Sequence, residues 1–144
     1  MPFLSETLAH EINHRSHFRN AMHERNAKPC AAMPLWAIGG GVLGLITALM
    51  GCNAVMICTK AVEQTVHRHL DDQLRFLASR DKALYDLIAA IQVEEDMHLD
   101  YASAHLRPSW LVAPLESVIN VLTEVLIWLS TQGAVSRMEK AVRR

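Results

Sequence analysis

The chain has 144 residues, which is the length of one ordinary domain with a buried core. Its formal net charge is −1 and it has no run of five basic residues, which argues against a nucleic-acid partner. No secretory signal is visible, and the three cysteines suit free thiols in a reducing compartment. We therefore expect one domain over residues 1–144, in a bacterial cytoplasm or on the cytoplasmic face of the inner membrane.

Two helical stretches are predicted in the first half of the chain. Ser5 can act as the N-cap of a helix that ends near Asn26. A second helical pattern runs from Trp36 to Ser79, which is too long for one uncapped helix in a domain of this size. We expect an interruption near Gly39–Gly41 or at Gly51.

Two further helices are predicted in the second half. Asp81 can cap a helix from Lys82 to about His105. The last helix runs from about Leu115 to Met138 and has the apolar stripe of a core-facing helix. Since no strand pattern appears, the fold class is all-α.

A charge-free stretch extends from Ala31 to Thr59. It exceeds the roughly 20 apolar residues that span a bilayer. It also contains proline, several glycines and Asn53, and Glu63 follows in the same helical register. The alternatives are a transmembrane helix and a buried or membrane-dipping helix pair, and these interruptions favour the second.

Two Glu-x-x-His motifs carry the first functional signal. The first motif pairs Glu11 with His14, and the second pairs Glu95 with His98. In each motif the two side chains lie on one helix face, about one turn apart. A four-helix bundle that holds two irons uses two such motifs, together with a single Glu from each of the other two helices.

Glu63 is the candidate for one of these single carboxylates. Its apolar neighbours form a stripe that should face inward, and a buried carboxylate needs a cation, a hydrogen-bond network or a metal. The alternatives to a metal are a pair with Arg68 or a buried histidine, or a position at a solvated edge. The residues alone leave these possibilities open.

Several other histidines lie near the motifs. His10, His14 and His17 share one face of the first helix. A ligating histidine usually donates its second N–H to a carboxylate or a carbonyl, and Asp100 is a candidate acceptor. Three histidines are expected on solvated faces: His17, His23 and His105.

The order and flanks of these residues resemble the di-iron demethoxyubiquinone hydroxylases of ubiquinone biosynthesis. The resemblance covers the chain from about Leu8 to Ser130. The similar segments are His10–His14 with Phe18, Met33–Trp36, Thr47–Gly51, Cys58–Glu63, His69–Leu74, and Glu94–His98 with Asp100.

The resemblance implies a ferritin-like helical bundle with a di-iron site. The residues that match the family's iron ligands are Glu11, His14, Glu63, Glu95 and His98. The three carboxylates among them would also be the catalytic groups. The cofactors would be two Fe ions, cycling between Fe2+ and Fe3+, with O2 as co-substrate.

The implied reaction is hydroxylation of the quinone ring of a polyprenylated ubiquinone precursor. The long tail implies peripheral association with the membrane surface, and Leu35–Met50 would contribute to a tail channel or a membrane-facing surface. A homo-oligomer or partner proteins of ubiquinone biosynthesis are further expected partners. The alternative is a non-catalytic relative that binds a quinone, a lipid or a partner protein.

The sequence also departs from the family pattern. The family's first helix, with one more ligating Glu, has no counterpart here, so we expect an N-terminally truncated bundle. Glu124 is the best internal replacement and Glu6 a poor one. Leu70 stands where the family has Tyr, Leu99 stands where it has His, and Thr123-Glu124 replaces Gly-Cys.

Overall fold

The structure is a computed structural model that describes residues 2–142. These residues contain helices and no strand, which confirms the all-α prediction. The helices are α1 (Pro2–Glu24), α2 (Met33–Met50), α3 (Cys52–Leu77), α4 (Lys82–His105), α5 (Val112–Thr131) and α6 (Ala134–Val142).

Two predicted boundaries are confirmed. The long apolar pattern breaks at Gly51, whose φ of 98° lies in a region that side-chain-bearing residues rarely adopt. The Gly39–Gly41 run, in contrast, continues within α2. Asp81 caps α4, and its carboxylate accepts a hydrogen bond from the Leu84 N–H.

Two other boundaries were predicted wrongly. Helix α1 begins at Pro2, so Ser5 lies inside the helix and is not its N-cap. The last predicted helix divides into α5 and α6 because Gln132 and Gly133 both have positive φ. Their N–H groups return to the carbonyls of Leu129 and Trp128, which is the hydrogen-bonding pattern of a Schellman C-cap.

Helix α3 is the central element. It packs most extensively against α4 and also contacts α2, α5 and α6, whereas α1 packs chiefly against α4. Polar side chains join α3 to α5: Lys60 pairs with Glu116, and the Thr65 hydroxyl lies 3.0 Å from the Asn120 amide oxygen. Helices α2 and α5 are joined by a hydrogen bond from the Trp36 indole to the Ser130 hydroxyl.

Both ends of α1 are fixed to the rest of the bundle. At its start, the Phe3 ring stacks on Tyr101 of α4 at 3.9 Å and packs into a small core with Met56 and Ala102. At its end, Arg25 forms a two-point ion pair with the Asp81 carboxylate, with distances of 2.7 and 3.0 Å. This arrangement holds the intervening part of α1 along α4.

Helices α2 and α5 expose most of their apolar surface. Both are long and apolar enough to cross a membrane by length and composition. Many of their large apolar side chains are exposed: Leu35, Ile38, Val42, Leu45, Ile46, Leu49, Val118, Val121, Leu122, Val125, Trp128 and Leu129. This surface is far larger than a scatter of single exposed hydrophobic residues.

The Asp81 ion pair predicts a specific acid sensitivity. The hydrogen bond from Arg25, followed by that from the Leu84 N–H, lowers the pKa of Asp81 to about 2. A lowered carboxyl pKa stabilises the folded state above the group's ordinary pKa, and this contribution disappears as pH falls toward 2. Asp81→Asn keeps a capping side chain but loses the charge. Its thermal midpoint should therefore lie below that of the wild type near neutral pH and converge with it near pH 2.

Asp86→Asn is the matched control, since Asp86 pairs with Lys82 on the same exposed helix face. It should change the midpoint much less than Asp81→Asn at neutral pH. An Asp81→Asn deficit that stays constant from neutral pH to about pH 2 would contradict the ion-pair explanation.

Candidate metal centre

Three helices bring four donor side chains to one point. Glu11 comes from α1, Glu63 from α3, and Glu95 and His98 from α4, and one ligand atom of each lies within 4.8 Å of all the others. Glu95 and His98 reach the same point because residues three apart share a helix face. Sequence reasoning named all four of these residues.

Most of this cluster is withdrawn from solvent. The residues Glu63, Glu95 and His98 are 6%, 5% and 3% exposed, while Glu11 forms the exposed edge. Buried carboxylates need compensation by a cation, a proton or hydrogen bonds. The centre has therefore one accessible side, at Glu11, and an interior that favours positive charge.

The electrostatics show how the metal-free cluster is tolerated. Burial, followed by the neighbouring Glu95, raises the pKa of Glu63 to about 10. Burial and Glu95 also raise the pKa of Glu11, although His14 and His10 oppose this rise. Glu63 thus holds a proton at neutral pH, and a metal ion at this position would replace that proton.

His14 extends the donor set. Its Nδ1 is buried and lies 3.1 Å from Glu95 Oε1. The two atoms are not oriented for a hydrogen bond, so this nitrogen has no hydrogen-bond partner. A buried imidazole nitrogen without a partner is costly, and a metal ion beside Glu95 would satisfy it. Carboxylate oxygens and imidazole together suit iron. The residues present therefore fit a metal centre.

Both histidines turn the same ring atom toward the carboxylates. His98 Nδ1 lies 3.3 Å from Glu95 Oε2 and 3.7 Å from Glu63 Oε1. Its Nε2 lies 3.0 Å from His10 Nδ1. His14 faces Glu95 through Nδ1 in the same way, and its Nε2 contacts a different residue on its outer side.

That outer contact of His14 is Glu94, and sequence reasoning chose the wrong carboxylate. Glu94 Oε2 lies 3.0 Å from His14 Nε2, whereas Asp100 is exposed and makes no hydrogen bond to a histidine within residues 2–142. Asp100 follows His98 by two positions, which places it about 200° around the helix. Glu94 sits on the side of α4 that α1 covers. Only knowledge of that packing could have identified it.

Two alternatives from the sequence are also wrong. Arg68 does not pair with Glu63, because its guanidinium lies 2.9 Å from Glu124. Glu124 also contacts His69 at 2.9 Å, between α3 and α5, and is therefore no substitute ligand at the centre. Glu6 is exposed on α1 and lies outside the cluster as well. The histidines expected on solvated faces are exposed: His17, His23 and His105.

Comparison with known proteins assigns the chain to a family. Residues 1–130 match the family model described as ubiquinone biosynthesis protein COQ7. The chain belongs to this family. The COQ7 family is a ferritin-like helical family, so the architecture is that of a ferritin-like bundle. The family resemblance drawn from the sequence is thereby confirmed.

Similar proteins in three organisms carry related names. The chain is 34% identical over 137 residues to a Dictyostelium discoideum protein and 34% identical over 136 residues to a human protein. Both are named NADPH-dependent 3-demethoxyubiquinone 3-hydroxylase, mitochondrial. It is 35% identical over 130 residues to the 3-demethoxyubiquinol 3-hydroxylase of Rhodospirillum rubrum.

These alignments cover 91%, 90% and 88% of the chain, respectively. They cover 62%, 62% and 60% of the three relatives. The chain thus spans about three fifths of the length of the curated relatives it matches. Membership of a hydroxylase family and the glutamate–histidine cluster together indicate a metal cofactor.

The protonation of Glu63 predicts opposite behaviour with and without metal. Since Glu63 is neutral in the metal-free protein, Glu63→Gln should change the free energy of unfolding by less than about 1 kcal/mol. With Fe2+ added anaerobically at about 100 times the wild-type Kd, the wild type should gain about 2.7 kcal/mol. The variant should lose most of that gain, measured by thermal unfolding with and without metal.

Glu6→Gln is the matched control because it makes the same chemical change on α1 at an exposed residue outside the cluster. It should keep the full metal-induced stabilisation. An equal metal response in wild type and Glu63→Gln would exclude Glu63 as a ligand.

Proposed function

We propose that this protein is a di-iron monooxygenase that hydroxylates the quinone ring of a polyprenylated ubiquinone precursor. The observation that carries the proposal is a cluster of three carboxylates and two histidines, all buried except Glu11, in a chain of the COQ7 family. The names of the similar proteins support the same substrate class.

Five side chains would hold the two irons. In this proposal Glu11, Glu63 and Glu95 would bind the ions through carboxylate oxygens, and His14 and His98 would bind them through Nδ1. Two Glu-x-x-His motifs with a single Glu from another helix are part of the pattern by which ferritin-like bundles hold two metals.

The burial of two carboxylates and the exposure of the third suit the centre to this chemistry. Iron bound there would supply electrons for the reduction of O2, with one oxygen atom entering the ring and the other leaving as water. Burial of Glu63 and Glu95 excludes water from the inner side. Glu11 is the exposed member, so the ring would approach the centre on its side.

The apolar surface of α2 and α5 supports peripheral membrane association at the cytoplasmic face of the inner membrane. A precursor with a polyprenyl tail resides in the lipid, and an exposed apolar surface lets the protein reach it there. Helix α2 packs against α3, and Thr47 on α2 is buried, with its hydroxyl donating to the Leu43 carbonyl. In this proposal Leu35–Met50 would contact the tail.

A purely non-catalytic binding role is the less favoured alternative. It would need the apolar surface but not the buried ligand set. The three similar proteins described above are named as hydroxylases, which favours the enzyme.

The iron requirement is directly testable. After anaerobic Fe2+ loading, the chain should bind about two irons. With O2 and a two-electron reductant, it should convert a short-tail demethoxyubiquinol into a product heavier by one oxygen atom, detected by mass spectrometry. Glu95→Gln should lower both iron content and turnover at least about tenfold, because it removes a buried charged ligand.

Asp96→Asn is the control for that experiment, since Asp96 neighbours Glu95 but faces His67 at 2.8 Å. It should retain iron and turnover. A wild-type chain that binds iron but yields no product would favour the non-catalytic alternative, and one that binds no iron would exclude the proposed centre.

Membrane association has its own test. Leu45 and Leu49 of α2 are 62% and 80% exposed. Replacing both with Asp should weaken sedimentation with anionic phospholipid vesicles by at least about tenfold, because apolar burial contributes roughly 25 cal/mol per Å² and a buried charge is costly.

The control is the single variant Val93→Asp, which is compared with the single variant Leu45→Asp. Val93 is also 62% exposed but belongs to α4. It should leave vesicle binding near the wild-type value. Equal losses at the two positions would show that α2 is not the membrane-facing element.

A further inference from the structure

Glu94 is a carboxylate at the centre that none of the ligand motifs uses. It precedes Glu95 on α4, and its side chain is 40% exposed. Its Oε2 lies 3.0 Å from Nε2 of His14, whose side chain is only 6% exposed. The same oxygen lies 3.8 Å from Nδ1 of His10.

We propose that Glu94 is a positioning residue that holds the His14 imidazole for metal binding and supplies a fourth negative charge beside the ligands. This inference rests on the proposed two-metal centre. Glu94 would not touch the metal, because the His14 ring lies between Glu94 and Glu95.

The proton positions follow from the contacts. If His14 binds a metal through Nδ1, its single proton must reside on Nε2. That N–H then donates to Glu94 Oε2, which fixes both the tautomer and the orientation of the ring. A carboxylate acceptor also makes the imidazole more basic and hence a better ligand.

The charge balance gives Glu94 a second role. Two divalent ions carry four positive charges, and the ligands Glu11, Glu63 and Glu95 neutralise three of them. Glu94 is a further carboxylate in direct contact with one of the proposed ligands, His14. Because the side chain is partly exposed, solvent screens its charge, so this contribution should be smaller than that of a buried ligand.

The second histidine has a related support. His98 Nε2 contacts His10 Nδ1 at 3.0 Å, so His98 can donate its Nε2 proton to His10. His10 Nδ1 lies 3.8 Å from Glu94, which is too far for a hydrogen bond. Glu94 therefore acts directly on His14 alone, and His98 has His10 as its own outer partner.

The test compares Glu94→Ala, which loses the acceptor and the charge, with Glu94→Gln, which keeps an acceptor oxygen. Calorimetric titration with Co2+ alone should show an affinity loss of about 10–100-fold for Glu94→Ala. Glu94→Gln should show a smaller loss, because the amide oxygen can still accept the His14 proton. Thermal unfolding of the metal-free proteins should be near the wild-type value, since Glu94 is partly exposed.

A spectroscopic readout separates positioning from general damage. In the Co2+-loaded wild type, the Nε2 protons of both ligating histidines should give exchangeable, paramagnetically shifted proton resonances. In Glu94→Ala the His14 resonance should disappear through fast exchange with water, while the His98 resonance should remain. Glu94→Gln should restore the His14 resonance.

Asp96→Ala and Asp96→Asn are the matched controls, since Asp96 is a half-exposed carboxylate on the same helix that contacts a different histidine, His67. Neither should change affinity or the two resonances. If the wild type binds Co2+ and both Glu94 variants match it in affinity and spectrum, the Glu94 proposal is overturned and the metal centre stands. If the wild type binds neither Co2+ nor Fe2+, both are overturned. Should Glu94→Ala fail to fold, Glu94→Met, which also removes the acceptor and the charge, takes its place. Wild-type Co2+ affinity and a wild-type His14 resonance in Glu94→Met would overturn the proposal.

Discussion

The mutual repulsion of buried carboxylates is the constraint on which the rest of the structure depends. Glu63 and Glu95 are placed side by side by the most extensively packed helix pair, α3 and α4, and among residues 2–142 their ion-pair partners are the histidines of the centre rather than Lys or Arg. Without metal, the repulsion is relieved by a proton on Glu63, whose pKa rises to about 10. The same arrangement makes the position favourable for a cation. A soluble bundle selected only for stability would place leucine at such positions, since replacing buried charges with packed apolar groups is often neutral or stabilising.

Helix α1 contributes Glu11 to the centre and contacts α4 through polar groups beside it. Its buried apolar side chains are Phe3 near its start and Ala21 near its end, and the Arg25–Asp81 ion pair follows its last residue. Between them, His10 and His14 contact α4 through polar groups of the centre. Because α1 packs chiefly against α4, metal binding would join α1 to α3 through shared ligands and so stabilise a helix with little apolar packing of its own.

The parts of the fold that depend on local chemistry could be predicted from the sequence. Asp81 as an N-cap and Gly51 as a break follow from single-residue preferences, and the two Glu-x-x-His motifs follow from helix periodicity. The division after Thr131 could not be predicted, because Gln132 adopts positive φ within a helical pattern without being a glycine. The choice of Glu94 over Asp100 was missed for a different reason. The spacing of Asp100, two positions after His98, already argues against a contact with that histidine. That Glu94 instead faces His14 is decided by which side of α4 packs against α1, and tertiary packing decides this.

The position of α3 links the two proposed activities of the molecule. One part of this helix presents Glu63 to the centre, and other parts hold α5 through Lys60 and Thr65. Helix α2 packs against α3 as well, and its Thr47 is buried. The exposed apolar helices are therefore fixed to the element that carries a central carboxylate. An enzyme that acts on the polar ring of a lipid-dissolved molecule needs this coupling, because the depth of the protein in the membrane then sets the distance from the ring to the metal.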